Sequence, residues 1–123
     1  MAVNYPTAVK TSRMNAVVTA AGATAVLEIG TSAMASVLAT IPLANPIGTV
    51  TNGVLTLTMP RSDTSADAGG TAAAARIRTA TGGTDIVTGL TVSTSGADIN
   101  LDSTNITAGQ TVTINSFTIT HAA

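Results

Sequence analysis

The stretch Thr49-Val50-Thr51-Asn52-Gly53-Val54-Leu55-Thr56-Leu57-Thr58-Met59 decides the fold class. Two runs of alternating apolar and polar residues flank Asn52-Gly53, and both turn residues tolerate positive φ. The pattern predicts a tight β-hairpin. In its second arm Leu55, Leu57 and Met59 share the core face and Thr56 and Thr58 the other, because successive strand side chains point to opposite sides.

Toward the N-terminus the same period recurs twice and then changes. Val37, Ala39, Ile41 and Leu43 alternate ahead of Asn45-Pro46, and Pro42 within that run marks an edge position or a bulge. Ala25, Leu27 and Ile29 alternate with Val26 and Glu28 as far as Gly30. Earlier still, Met14, Val17, Val18 and Ala21 recur at helical spacing, which predicts a helix over residues 7–21 with Gly22 as its stop. Lys10 and Arg13 sit off that apolar face. Tyr5-Pro6 opposes any helix before it, so the opening residues read as an extended arm.

Toward the C-terminus, residues 60–70 read as a loop holding the densest charge cluster, Arg61, Asp63 and Asp67. Residues 72–79 are read as a strand, because Arg76-Ile77-Arg78 alternates and Thr81-Gly82-Gly83-Thr84 turns the chain into a strand with Ile86, Leu90 and Val92 on one side. After a turn at Ser93 to Gly96, Ile99 and Leu101 point inward, and Asp98, Asn100 and Asp102 outward. Ser103 to Gly109 is a connection. Gln110 to Thr120 is expected to be the longest strand; its apolar parity slips between Val112/Ile114 and Phe117/Ile119, which predicts a β-bulge near Asn115-Ser116. Together these runs predict an all-β chain: a β-sandwich or jelly roll of about eight antiparallel strands, with a short N-terminal helix and extended arm. Residues 1–22 form the arm and helix, and residues 23–123 the β domain.

Composition narrows the function. The chain has 123 residues, of which 9% are charged, 2% aromatic and none cysteine, with a net charge of −1. Soluble domains carry about 25% charged residues. Five basic against six acidic residues exclude a binder of nucleic acid that works through a basic patch. The shortage of aromatics removes the stacking platforms that single strands need. Without cysteine there is no disulfide framework, thiolate metal site or cysteine nucleophile. The uncharged stretch Met14 to Leu27 is too short and too mild for a membrane span. Lys10 and Arg13 ahead of it, with Ala23-Thr24-Ala25 as a small-residue cleavage site, give a secretory signal as the minor reading of this stretch. A surface of Thr, Ser and Ala, hydrogen-bonding but nearly uncharged, suits either a protein packed against neighbours or a stable β domain with a neutral exterior.

No catalytic constellation stands out. His121, the single histidine, has no orienting carboxylate beside it. Asp98-Ile99-Asn100-Leu101-Asp102 starts like an EF-hand loop, but Ser103 and Gly109 hold the positions that require glycine and glutamate. A weak calcium site there or between Asp63 and Asp67 is the residual metal reading. Glu28, the only glutamate, lies in an apolar strand and is simplest as an outward-facing residue or the partner of an arginine. Phosphate-cradling and nucleophile-elbow motifs do not occur. No cofactor and no catalytic or metal site is therefore expected. Arg76 and Arg78 project to one side of their strand and are candidates for contact with acidic groups of a neighbouring protein. The arm Met1, Ala2, Val3, Asn4 and Tyr5 is the other candidate interface, as ordered chain ends are usually tied down.

A resemblance adds to this. Thr71-Ala-Ala-Ala-Ala-Arg-Ile-Arg78, Val87-Thr-Gly-Leu-Thr-Val92, Gly96-Ala-Asp-Ile-Asn-Leu-Asp102, Ile106-Thr-Ala-Gly-Gln-Thr-Val112 and Thr118-Ile-Thr-His121 carry it, together with Leu27-Glu-Ile-Gly30 and Met34 to Pro42. With these runs, most of the chain resembles small structural proteins of tailed bacteriophages, of the capsid decoration or cement type. The resemblance implies a non-enzymatic virion protein, made in the host bacterial cytoplasm and bound in many copies to the outer capsid surface. Its partner would be the major capsid protein, with homo-oligomers (dimer or trimer) on the shell and no nucleic acid or membrane bound. A tail or fibre component, or a bacterial surface or fimbrial module, is the alternative. The motifs are structural, so the resemblance carries no functional residues with it.

Overall fold

The computed structural model describes residues 5–101, 103–114 and 117–120. Helix α1 spans Thr7–Ala21, the span expected from the periodicity. Pro6 precedes it, and its carbonyl accepts from the amides of Val9 and Lys10 at 3.0 and 3.1 Å. Gly22 at φ +66° stops the helix, its N–H bonding back to Val18. Met14 and Ala21 are buried, and Val17 and Val18 pack half-buried against the core.

Twelve strands follow among the described residues: β1 (Val26–Gly30), β2 (Val37–Pro42), β3 (Gly48–Thr51), β4 (Val54–Leu57), β5 (Arg61–Asp63), β6 (Gly70–Thr71), β7 (Ala74–Arg78), β8 (Asp85–Ser93), β9 (Ile99–Asn100), β10 (Asn105–Ile106), β11 (Val112–Ile114) and β12 (Thr118–Thr120). The chain is thus mostly strand with one helix. A five-stranded sheet runs β2-β1-β7-β8-β9, and a three-stranded sheet runs β12-β4-β3. Two small ribbons, β10-β6 and β11-β5, complete the set.

Alternation places the core. Leu27 lies opposite Ile41 on one side and Ile77 on the other, and Ile29 lies between Ala39 and Ala75. These residues form the inner face of the larger sheet. Leu55, flanked by Val50 and Ile119, heads the inner face of the smaller one. Both faces contribute to one aliphatic cluster in which Leu27, Ile29, Ile41, Leu55, Ile77 and Ile114 are fully buried. Each such side chain contributes about 1.5–3 kcal/mol. Phe117 is the cluster's only aromatic residue.

Several expectations are corrected. The strands are shorter and more numerous than about eight, because the turn-rich segments contain pairing partners. The expected loop at 60–70 holds β5 and the start of β6, and the expected connection at 103–109 holds β10. Residues 110–120 do not form one longest strand: β11 pairs with β5 and β12 with β4, and the longest strand is β8. The parity slip is real in burial, since Val112, Ile114 and Phe117 are all buried. The bulge expected at Asn115-Ser116 lies outside the described residues. β9 pairs with β8 in parallel, not antiparallel. Between Leu90 and Asp85, β8 carries two extra residues relative to β7, so that Val87 lies opposite Ile77, and Gly89 at φ +75° lies in the irregular stretch. The edge position read from Pro42 holds, for β2 is the outer strand of its sheet.

Candidate interaction surface

Charged side chains are few, and most of those described are engaged within the chain. On the outer face of the larger sheet Glu28 is flanked by Thr40 and Arg76. Glu28 is only 3% exposed. Arg76 Nε donates to its Oε1 at 2.7 Å, and Arg78 Nη1 lies 3.6 Å from the same oxygen. Arg78 Nη2 donates to the Gly83 carbonyl at 2.6 Å. Its Nε lies 2.9 Å from Asp85 Oδ1, close enough for charge attraction but not aligned as a hydrogen bond. Two arginines and two carboxylates thus neutralise one another across three strands. Of the two readings the sequence leaves for Glu28, an outward-facing residue or the partner of an arginine, the β1–β7 register supplies the arginine.

Aspartates close both edges of that sheet. At the β2 edge, Thr40 N–H donates to Asp63 Oδ2 at 3.0 Å and its hydroxyl to Asp67 Oδ2 at 2.7 Å. Arg61 Nε donates to the Pro42 carbonyl at 2.8 Å, and the Leu38 carbonyl accepts from the amides of Asp67 and Ala68. Where short β9 leaves β8 uncovered, Thr91 N–H donates to Asp98 Oδ2 at 2.9 Å. Unpaired strand edges invite pairing with other chains, and these carboxylates occupy donors that would take part. The cluster Arg61, Asp63 and Asp67, prominent in the sequence, is therefore a strand cover. Its carboxylates already accept protein donors, and among the described residues no three His, Cys, Asp or Glu are placed to hold a metal.

The smaller sheet has a different exterior. Thr118, Thr56 and Thr49 lie side by side across β12, β4 and β3, and Thr120, Val54 and Thr51 form the next row. All five threonines are exposed and Val54 is half-buried. Strand geometry spaces them about 4.8 Å across the sheet and about 6.8 Å along it. The result is a regular, uncharged grid of hydroxyl and methyl groups. Close approach of β3 to β4 helps keep it regular: a Cβ on Gly48 would collide with the Thr56 carbonyl. The sequence shows T-x-T in β3 and β12 and Thr56 in β4, but only the pairing reveals that Thr49, Thr56 and Thr118 align.

Of the residues proposed from sequence as interface, Met1, Ala2, Val3 and Asn4 lie outside the described residues, as do His121 and Asp102. Tyr5 is half-buried, with the Arg13 guanidinium 4.7 Å from its ring centre. Arg76 and Arg78 meet acids inside the chain, as described. Shallow hollows lie among the described residues. One, of about 240 Å³, lies beside Arg76 and Asp85 between Met34 and Gly89. Another, of about 150 Å³, is lined by Ser103, Gln110, Thr111 and Thr113 with Leu101 and Ile106. No described helix is long and apolar enough to cross a membrane. Comparison with protein families, curated proteins and solved structures finds no match to this chain.

Proposed function

We propose that the protein is a non-enzymatic structural component that works by docking its neutral threonine face, and that its setting is a bacteriophage capsid, as a decoration or cement protein. The observation that carries the docking reading is the aligned threonine grid on β12-β4-β3. Hydroxyls and methyls in fixed rows can pair with another neutral surface without the desolvation cost of burying charges. The capsid setting rests on the resemblance carried by the runs between Leu27 and His121. On this reading the larger and smaller sheets close as a sandwich or jelly roll, and many copies clamp the major capsid protein, the lattice multiplying weak contacts. The arm at residues 1–5 reaches a neighbouring subunit.

Copy number tests it. Mass spectrometry of the purified particle should find this chain near stoichiometric with the most abundant shell protein. A few copies per particle would move it to the tail or fibre, and absence from any particle would overturn the virion reading. Thr56→Lys, which places a charge in the centre of the grid, should empty the particles of this protein while the isolated domain keeps its strand signal in circular dichroism. Unchanged occupancy would remove the threonine face from the interface.

A further inference from the structure

The Asn52-Gly53 turn carries a second kind of chemistry. Asn-Gly is the dipeptide in which an asparagine side chain is most open to attack by the following backbone nitrogen, because glycine places no side chain in the way. Asn52 is exposed at φ +51°, and Gly53 follows at φ +77°. Yet Gly53 itself is buried, because helix α1 lies against it. Gly53 N–H donates to Thr11 Oγ1 at 2.9 Å. A Cβ on Gly53 would also come within 2.9 Å of Lys10 Cβ. The would-be nucleophile is therefore held, proton in place, by a hydroxyl forty-two positions away along the chain.

We propose that Asn52 is a spontaneous deamidation site restrained by Thr11, so that the docking of helix α1 sets its rate. In the reaction Gly53 N loses its proton and bonds to Asn52 Cγ, the Cγ–Nδ2 bond breaks, and ammonia leaves with that proton. Water then opens the succinimide at either carbonyl, giving aspartate or isoaspartate. The net change is one water consumed and one ammonia released, with no oxidant or cofactor. Reaction requires the Gly53 amide to leave Thr11 and swing toward Asn52 Cγ, which the docked helix opposes. The product acts back on the helix. Isoaspartate adds a methylene to the turn backbone, so Gly53 N–H no longer meets Thr11. Either product also puts a negative charge at the end of the β3–β4 hairpin, next to an otherwise uncharged threonine face. This makes the turn a slow, one-way switch from docked and neutral to loosened and charged.

Incubation of the full chain in mildly alkaline buffer, followed by peptide mapping, tests the proposal. Thr11→Val, which keeps the shape but removes the hydroxyl, should deamidate at Asn52 on the order of fivefold faster than wild type, the factor set by loss of one neutral hydrogen bond of typical strength. Thr11→Ser should keep the wild-type rate, and Asn15, which precedes alanine, serves as an internal reference in all three proteins. Equal rates at Asn52 in Thr11→Val and wild type would overturn the proposal. Hydrogen exchange of the unmodified protein gives a second reading that no substitution can confound: the Gly53 amide should be protected, and free exchange there would also overturn it.

Discussion

The two sheets give their outer faces opposite treatment. On the five-stranded sheet, Glu28, Arg76, Arg78 and Asp85 satisfy one another, and Asp63, Asp67 and Asp98 occupy the edges. On the three-stranded sheet the outward positions are threonine apart from Val54, and no described side chain bonds to the outer backbone of β3 or β12. Charge in this chain is thus a device for finishing one sheet internally, and neutrality is what the other sheet shows to its surroundings. A low charge content does not mean the charges are incidental. Those on the larger sheet stand where a substitution tells.

The largest effect is expected where the larger sheet depends on charge. Arg76→Ala leaves buried Glu28 with only the more distant Arg78, and should cost about 3–5 kcal/mol, as removal of one partner of a buried ion pair does. Urea unfolding of variant and wild type measures it, and a loss near that of an ordinary surface site would show that the quartet is dispensable. An intermediate effect belongs to the edge. Asp63→Ala strips the acceptor from Thr40 N–H and should cost about 1–3 kcal/mol, with concentration-dependent association in light scattering because a strand edge is uncovered. Smallest is the threonine face, where Thr56→Val should stay within about 0.5 kcal/mol of wild type in thermal unfolding. A large loss at Thr56 would erase the contrast between the sheets, because its hydroxyl would then be serving the fold.

Local signals were legible and distant pairings were not. Helix α1 was readable because its apolar spacing and Gly22 both act within a few turns of chain. The Asn52-Gly53 hairpin was readable because turn chemistry and alternation agree. Strand β1 was only half readable: alternation predicts one covered face, but all five residues are buried, since the Arg76 and Arg78 side chains cover the side that Glu28 occupies. β5, β6 and β10 lie in segments rich in turn-forming residues, and they are strands because partners far along the chain supply the hydrogen bonds. The candidate surface was hidden for the same reason. Each T-x-T triplet reads as one polar strand face, and alignment of Thr49, Thr56 and Thr118 is a property of register across sixty-odd residues. Likewise, Arg61, Asp63 and Asp67 read as a solvated loop until the uncovered amide of Thr40 is placed beside them.

The pairing of β12 with β4 also bears on synthesis. β3 and β4 can meet as soon as residue 57 has emerged, but the strand that covers the other side of β4 arrives only with residues 118–120. During translation the nascent hairpin therefore carries one open edge for as long as it takes to make the intervening half of the protein, some 3–12 seconds at about 5–20 residues per second. A sequence of mostly local contacts would finish this sheet early. This one leaves its threonine surface to be assembled last, so a truncated product lacking β12 would retain the hairpin and lose the grid.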